Sequence, residues 1–183
     1  MAYGSFEWSS KLTIKLLWMK TEEPKCYFQL SKWKEVIANE VDFIEWDFVS
    51  CSTKEVDTDY WKKKLIIMTL EDKWEQYEFS ASWTQATRWM YLALTKWQEL
   101  WRIKLLAWTM WTEDAKWVIR MNKWITIYNN WTKLTKQKTW DQLLSEWLVE
   151  VEETRKWNQY YYDKLEEYLT DIALSLQKYE NKF

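Results

Sequence analysis

The chain has 183 residues, enough for one domain with an ordinary core, and its formal charge at neutral pH is only −2. With 48% hydrophobic and 30% charged residues it reads as folded and soluble, and no apolar run approaches the ~20 residues of a membrane-crossing helix. Histidine is absent, which excludes Ser-His and Cys-His nucleophile pairs and the common histidine-containing zinc sites.

The opening MAYGSFEWSS lacks a basic segment followed by an apolar one, so no secretory leader is expected and the cytoplasm is the expected location. Residues 11–18 and 25–30 read as strands around a turn that holds Pro24, the only proline. Cys26 and Cys51 form no CxxC pair and read as small core residues in a reducing compartment. A long alternating run spans 35–52, with a bend or bulge expected at position 46. A polar loop, TKEVDTDY, follows over 53–60. Residues 63–70 and 76–82 make the strongest hairpin signal in the chain. At 84–94 the period changes: Ala86, Met90 and Leu94 recur at helical spacing and Thr84 can cap the start. Strands resume at 102–108, 116–122 and 124–129. Residues 140–155 could form a helix. The tail over 158–177 reads as an amphipathic helix, with Tyr161, Leu165, Tyr168, Leu169, Ile172 and Leu176 on one stripe.

The tryptophans do not fit this pattern. There are 18 of them and a single glycine, although glycine usually makes up about 7% of a chain. Tryptophan belongs among apolar neighbours. Here Trp33 lies in SKWKE, Trp74 in EDKWEQ, Trp97 in TKWQE and Trp131 in NNWTK. These are turn contexts that call for positive φ, hence glycine. Most of these positions are therefore expected to have evolved as glycine. A UGA codon read as glycine in the source and as tryptophan here is the simplest route, and it fits a phage or low-GC origin. Trp74 and Trp131 are expected exposed at turns rather than packed. The alternative is that all 18 are genuine, as in an aromatic-rich binding protein.

Strand, strand, strand, short helix, strand, strand is the connectivity of an OB-fold, a small Greek-key barrel. The fold class expected is mainly β with helices: one OB-like barrel domain over 1–138 with an N-terminal strand extension, then a helical segment over 139–183 packed on it. The loops that bind ligand in such barrels, between strands 1 and 2 and between strands 4 and 5, fall at about 53–61 and 109–115.

With positions 46, 61, 74, 124 and 131 read as glycine, the block from FIE(G)DF through DTDY(G)KKKLIIMTLEDK(G)EQYEFSAS to K(G)ITIYNN(G)TKLT resembles small phage-encoded single-stranded-DNA-binding proteins. Those proteins pair a Tyr-Gly before the second strand with a strand-Asp-Gly-strand hairpin and close on an Ile-Tyr-Asn/Gln-Asn-Gly strand end. The resemblance covers roughly residues 41–135 and rests mostly on turns. It implies binding of single-stranded DNA with little sequence specificity, in phage replication or recombination, in the host cytoplasm.

Charge distribution points the same way. Residues 1–87 carry net −4, 88–138 net +7 and 139–183 net −5. A basic middle between acidic flanks suits a phosphate backbone. The candidate DNA-binding residues are Tyr60, Lys62, Lys63, Tyr77, Arg88, Arg102, Lys104, Arg120, Lys123 and Tyr128, with Lys133, Lys136 and Lys138 in the same basic stretch. Tyr60 and Tyr128 are the stacking candidates, while Tyr77 and Phe79 share one strand face and read first as core, although that strand of an OB-fold can also present aromatics to bases. Glu55, Asp57 and Asp59 alternate but lack the glycine-containing calcium-loop pattern, so a solvated loop is the plainer reading. No metal, cofactor or catalytic residue is expected, and no membrane partner. Replication or recombination proteins and a second copy of the chain are the conceivable protein partners. A structural or assembly protein that uses the barrel for protein contacts is the alternative function. An enzyme, lacking histidine, would have only carboxylates to work with.

Overall fold

The computed structural model describes residues 12–18, 25–57, 59, 62–81, 84–113, 117–138, 140–147 and 154–180. In chain order the strands are β1 Leu12–Trp18, β2 Cys26–Lys32, β3 Glu35–Val41, β4 Phe43–Asp57, β5 Lys62–Asp72 and β6 Glu75–Ala81. Helix α1, Gln85–Leu92, is followed by β7 Glu99–Leu100, β8 Arg102–Glu113, β9 Ile119–Asn129 and β10 Thr132–Lys133. Helices α2 Trp140–Trp147 and α3 Thr154–Ser175 and the short β11 Gln177–Lys178 complete the order. The protein is mainly β with a few helices.

Nine strands form one sheet in the order β10-β9-β8-β4-β5-β6-β1-β2-β3. Neighbours are antiparallel except β6 and β1, which run parallel. The sheet is not closed: its ends are β10 and β3. Strand β4, 15 residues long, holds the sheet together. Its first residues pair with β8 and the rest with β5, and Asp47 faces both partners. Side chains link β1 and β2 to the β8–β9 hairpin: Cys26 Sγ donates to the Trp108 carbonyl (3.0 Å), and Lys123 Nζ donates to the Leu16 carbonyl (3.3 Å).

Periodicity explains the core. Ile103, Leu105 and Ala107 of β8 and Ile125 and Ile127 of β9 alternate onto one sheet face and are buried there, with Ile44 of β4 beside them. Helix α1 starts where Thr84 Oγ1 accepts from the Thr87 N–H, and it buries Ala86, Met90 and Tyr91. Helix α3 buries the expected stripe of Tyr161, Leu165, Leu169 and Ile172. It is tied to α1 by a half-buried ion pair, Arg88 Nη2 to Glu166 Oε1 (2.8 Å), with the Arg88 guanidinium over the Tyr162 ring.

Four expectations about the strands are corrected. Position 46 is neither bend nor bulge: the 35–52 run breaks at Asp42, and the pairing slips between Phe48 and Ser50. Residues 53–57 are not loop, because Lys62 and Lys64 stand across from Asp57 and Glu55 and their opposite charges extend the ladder. The region 109–115 likewise begins as strand, with β8 running to Glu113. The runs 116–122 and 124–129 are one strand, since β9 pairs continuously with β8 from Ile119 to Asn129. Tyr60, and the 140–155 helix beyond Trp147, lie outside the described residues.

The turns repeat one oddity. Five tryptophans adopt left-handed backbone: Trp33 (φ 59°), Trp74 (74°), Trp97 (64°), Trp117 (61°) and Trp131 (64°). All five are exposed, Trp74 at 93% and Trp131 at 71%, as expected for those two. Left-handed φ is a steric outlier for so bulky a residue. At four of the five the local geometry identifies the turn. Lys73-Trp74 and Asn130-Trp131 each join paired strands through two residues of positive φ, the type I′ pattern whose second residue is preferentially glycine. Trp33 is the first of two linking residues and alone has positive φ, the type II′ pattern with glycine in that place. Between β7 and α1, Gln98 N donates to the Thr95 carbonyl (3.2 Å) with Trp97 third of the four, the glycine place of a type II turn. Trp46, Trp89, Trp108 and Trp124 have no such backbone and sit in regular strand or helix.

With no histidine, no side chain has an ordinary pKa between pH 5 and 8. On the alkaline side several groups are held neutral. Burial pushes the Cys51 thiol, hydrogen-bonded to the Tyr91 hydroxyl, up to about 12. Burial likewise raises Tyr91, Tyr161 and Cys26. Above the ordinary thiol value the unfolded chain releases protons that the folded chain keeps, so alkali favours unfolding. Urea-denaturation midpoints should therefore be level from pH 6 to 8 and fall steadily as pH rises from about 9 towards 12.

Candidate nucleic-acid interface

The two faces of the β8–β9 hairpin differ. One lies on the core. On the other, the cross-strand pairs are Lys104–Tyr128, Leu106–Thr126, Trp108–Trp124, Met110–Asn122 and Thr112–Arg120, with Phe43 of β4 beside Leu106. From Lys104 to Thr112 this face is about 27 Å long at the usual rise of a strand, the reach of several nucleotides.

Its cations do different work. Arg102 is committed: Nε meets Glu45 Oε1 (3.1 Å), Nη1 meets Asp47 Oδ1 (3.3 Å), and Nη2 donates to the Glu45 carbonyl. Among the described residues Lys104 makes no such carboxylate bond, although Glu45 is its ladder partner on β4; its ammonium lies over Phe43 (4.5 Å to the ring centre) and near Tyr128 (5.8 Å). Arg120 is exposed at the far end, beside Asn122, whose amide donates to Thr112 Oγ1.

Next to this face, α1 and the segment after β10 enclose a cleft of about 500 Å³. Trp89, Trp108 and Trp124 form its aromatic wall, and Lys133 and Lys136 its charged rim. Trp124 packs on both other rings, at 5.0 Å from Trp89 and 5.9 Å from Trp108. The Trp108 indole N–H donates to Thr126 Oγ1 (2.8 Å), and the Lys136 ammonium sits over the face of Trp89. Partial burial there pushes Lys136 below the ordinary lysine value. Among the described residues, no carboxylate lines the cleft. An aromatic slot with a cationic rim and no anion suits a planar, negatively charged ligand.

The other sequence-predicted residues are scattered. Tyr77 is buried, stacked on Trp46 (4.2 Å, 24°) with its hydroxyl donating to Glu75, so it serves the core rather than a base. Arg88 faces α3 through Glu166. Lys123, half-buried on the core-facing side of β9, is pushed down by burial and bonds to β1. Lys62 is exposed on β5, away from the hairpin; Tyr60 and the Lys63 side chain lie outside the described residues. The structure thus pairs Lys104 with Tyr128 from the sequence reading, places Arg120 at the far end of the same face, and adds Phe43, Trp89, Trp108, Trp124, Lys133 and Lys136. The missed tryptophans carried a signal: each has an apolar neighbour, in RWMY, LAWTM and KWITI, unlike Trp74 in EDKWEQ.

Among the described residues no group of three Cys, Asp or Glu side chains could hold a metal ion. No helix among them is long and apolar enough to cross a membrane. No family model, no curated protein and no solved structure matches the chain.

Proposed function

We propose that the protein binds single-stranded DNA with little sequence preference, using the outer face of the β8–β9 hairpin and the adjoining cleft. The observation that carries this reading is the grouping of Lys104, Lys133 and Lys136 with Phe43, Tyr128 and three tryptophans on a surface whose cleft, among the described residues, has no carboxylate. Lysines follow the backbone and aromatic rings accept unstacked bases, a combination indifferent to sequence because every base has a π-face. In this reading β4, β5, β6, α1, β8 and β9 form an OB-like unit, into which the N-terminal strands insert beside β6. The role is in phage replication or recombination. The left-handed tryptophans are native glycines misread from UGA; intact-mass measurement of protein from its native host should fall short of the 18-tryptophan mass by the Trp–Gly difference at each such position.

Titration of a labelled oligo-dT at two salt concentrations tests the function. Neutralising four phosphates implies a slope of about −2.8 in log K against log salt, so affinity should fall about 50-fold between 50 and 200 mM. Lys104→Ala should weaken binding at low salt. No binding at low salt would favour an assembly protein instead, a reading supported by the exposed Trp111 and Ile119 at the hairpin's far end and Val36 and Ile37 on the edge strand β3.

A further inference from the structure

The cleft is better built than a flat stacking platform. Trp124 is only 8% exposed, and among the described residues its indole Nε1 is buried without a hydrogen-bond partner. A buried donor left unpaired costs free energy that a ligand acceptor can recover. Trp108 differs: its N–H is already used by Thr126, and its ring is 38% exposed. Trp89 reaches in from α1 and carries the Lys136 ammonium on its face. None of the three has left-handed backbone, so nothing in the chain path asks for glycine there, and position 124, read as glycine for the resemblance, is taken here as tryptophan.

We propose that this cleft takes a single unstacked nucleobase, with the Trp89 and Trp108 rings against its faces, a ring or exocyclic acceptor of the base towards the Trp124 N–H, and Lys133 and Lys136 at its phosphate. The proposal rests on the strand-binding reading and sharpens it: one nucleotide of the bound strand is held in a pocket, while its neighbours lie on the open hairpin face. The volume of about 500 Å³ admits a nucleotide with room for solvent. The ligand chemistry, a planar base with an attached phosphate, is shared by a base within a strand and by a free mononucleotide, so both belong in the test.

Three ligands are titrated by anisotropy or calorimetry at low salt: oligo-dT, the same oligomer with its bases removed but its phosphates kept, and dTMP. Each is measured against the wild type and Trp89→Leu, with circular dichroism confirming that the variant folds. Removing the bases should weaken wild-type binding about tenfold or more, and Trp89→Leu should erase most of that difference while leaving the salt slope unchanged. Equal affinity for the intact and base-free oligomers would overturn the pocket and leave strand binding standing. Binding of dTMP that Trp89→Leu abolishes, with no oligomer binding at low salt, would uphold the pocket and sink the strand reading. Absence of binding by all three would overturn both. The base-free arm changes the ligand alone, so the outcome is readable even where a variant is unstable.

Discussion

Replacing Trp33, Trp74, Trp97, Trp117 and Trp131 together by glycine is expected to stabilise the protein, which is the reverse of what five large-to-small substitutions ordinarily do. A non-glycine residue in left-handed backbone costs roughly 1–2 kcal/mol, and each of these five sits there. Glycine relieves that cost but gives the unfolded chain more freedom, which returns about 0.5–1 kcal/mol. The net gain is about 0.5–1 kcal/mol per site. The five lie in separate turns or loops, so the gains should add to about 3–5 kcal/mol. For a chain of this length that raises the melting temperature by roughly 6–20 °C. Little packing is lost, because Trp74 is 93% exposed and the others are exposed too. The opposite class supplies the control. Trp124 is buried against two other indoles, and Trp124→Gly should cost about 3–5 kcal/mol by emptying its site. Opposite signs in the two classes, read by thermal melts and urea midpoints, are what recoded glycine requires. A quintuple variant that is neutral or less stable would end the idea.

Where sequence and structure agree, a local physical signal is strong. The β5–β6 hairpin was legible because Asp72-Lys73-Trp74-Glu75 carries turn chemistry once Trp74 is read as glycine. Helix α1 was legible from Thr84 and the spacing of Ala86, Met90 and Leu94, and α3 from its stripe. Disagreement begins where long-range pairing decides. The parallel pairing of β1 with β6, Leu12 against Tyr77, joins segments far apart in the chain and leaves no local mark. At the far end of β9, Ile119 and Arg120 are both exposed, so alternation no longer reports which face is buried, and one strand read as two. The cleft draws on a helix, three strands and a connector, and charge alone could not find it. Glycine suits Trp131 at a turn but not Trp124 in a strand, so an expectation of glycine at most tryptophans conceals the aromatic wall. A flanking-residue rule separates the cleft tryptophans from Trp33, Trp74, Trp97 and Trp131 but fails at Trp117, which precedes Val118 and is still left-handed, and at Trp46, which lies between Glu45 and Asp47 in regular strand.

The second large effect concerns which lysines meet the phosphates. The sequence alone offers Lys62 and Lys63 as well, since they open a strand next to an expected binding loop. In the folded chain Lys62 and Lys64 stand across the ladder from Asp57 and Glu55, so their field is largely cancelled at short range. Lys133 and Lys136 rim a cleft that, among the described residues, no carboxylate lines. Each phosphate neutralised on a single strand contributes about −0.7 to the salt slope. Lys133→Gln with Lys136→Gln should therefore make the slope for oligo-dT shallower by about 1.4, which at 50 mM salt weakens binding by one to two orders of magnitude. Lys62→Gln with Lys64→Gln should leave the slope within about 0.3 of the wild type. The reverse ranking would move the interface to the β4–β5 end of the sheet and detach it from the aromatic cleft. Because slope counts released ions rather than overall affinity, a variant that merely loosens the fold shifts the line without tilting it, and the tilt separates direct phosphate contact from damage elsewhere.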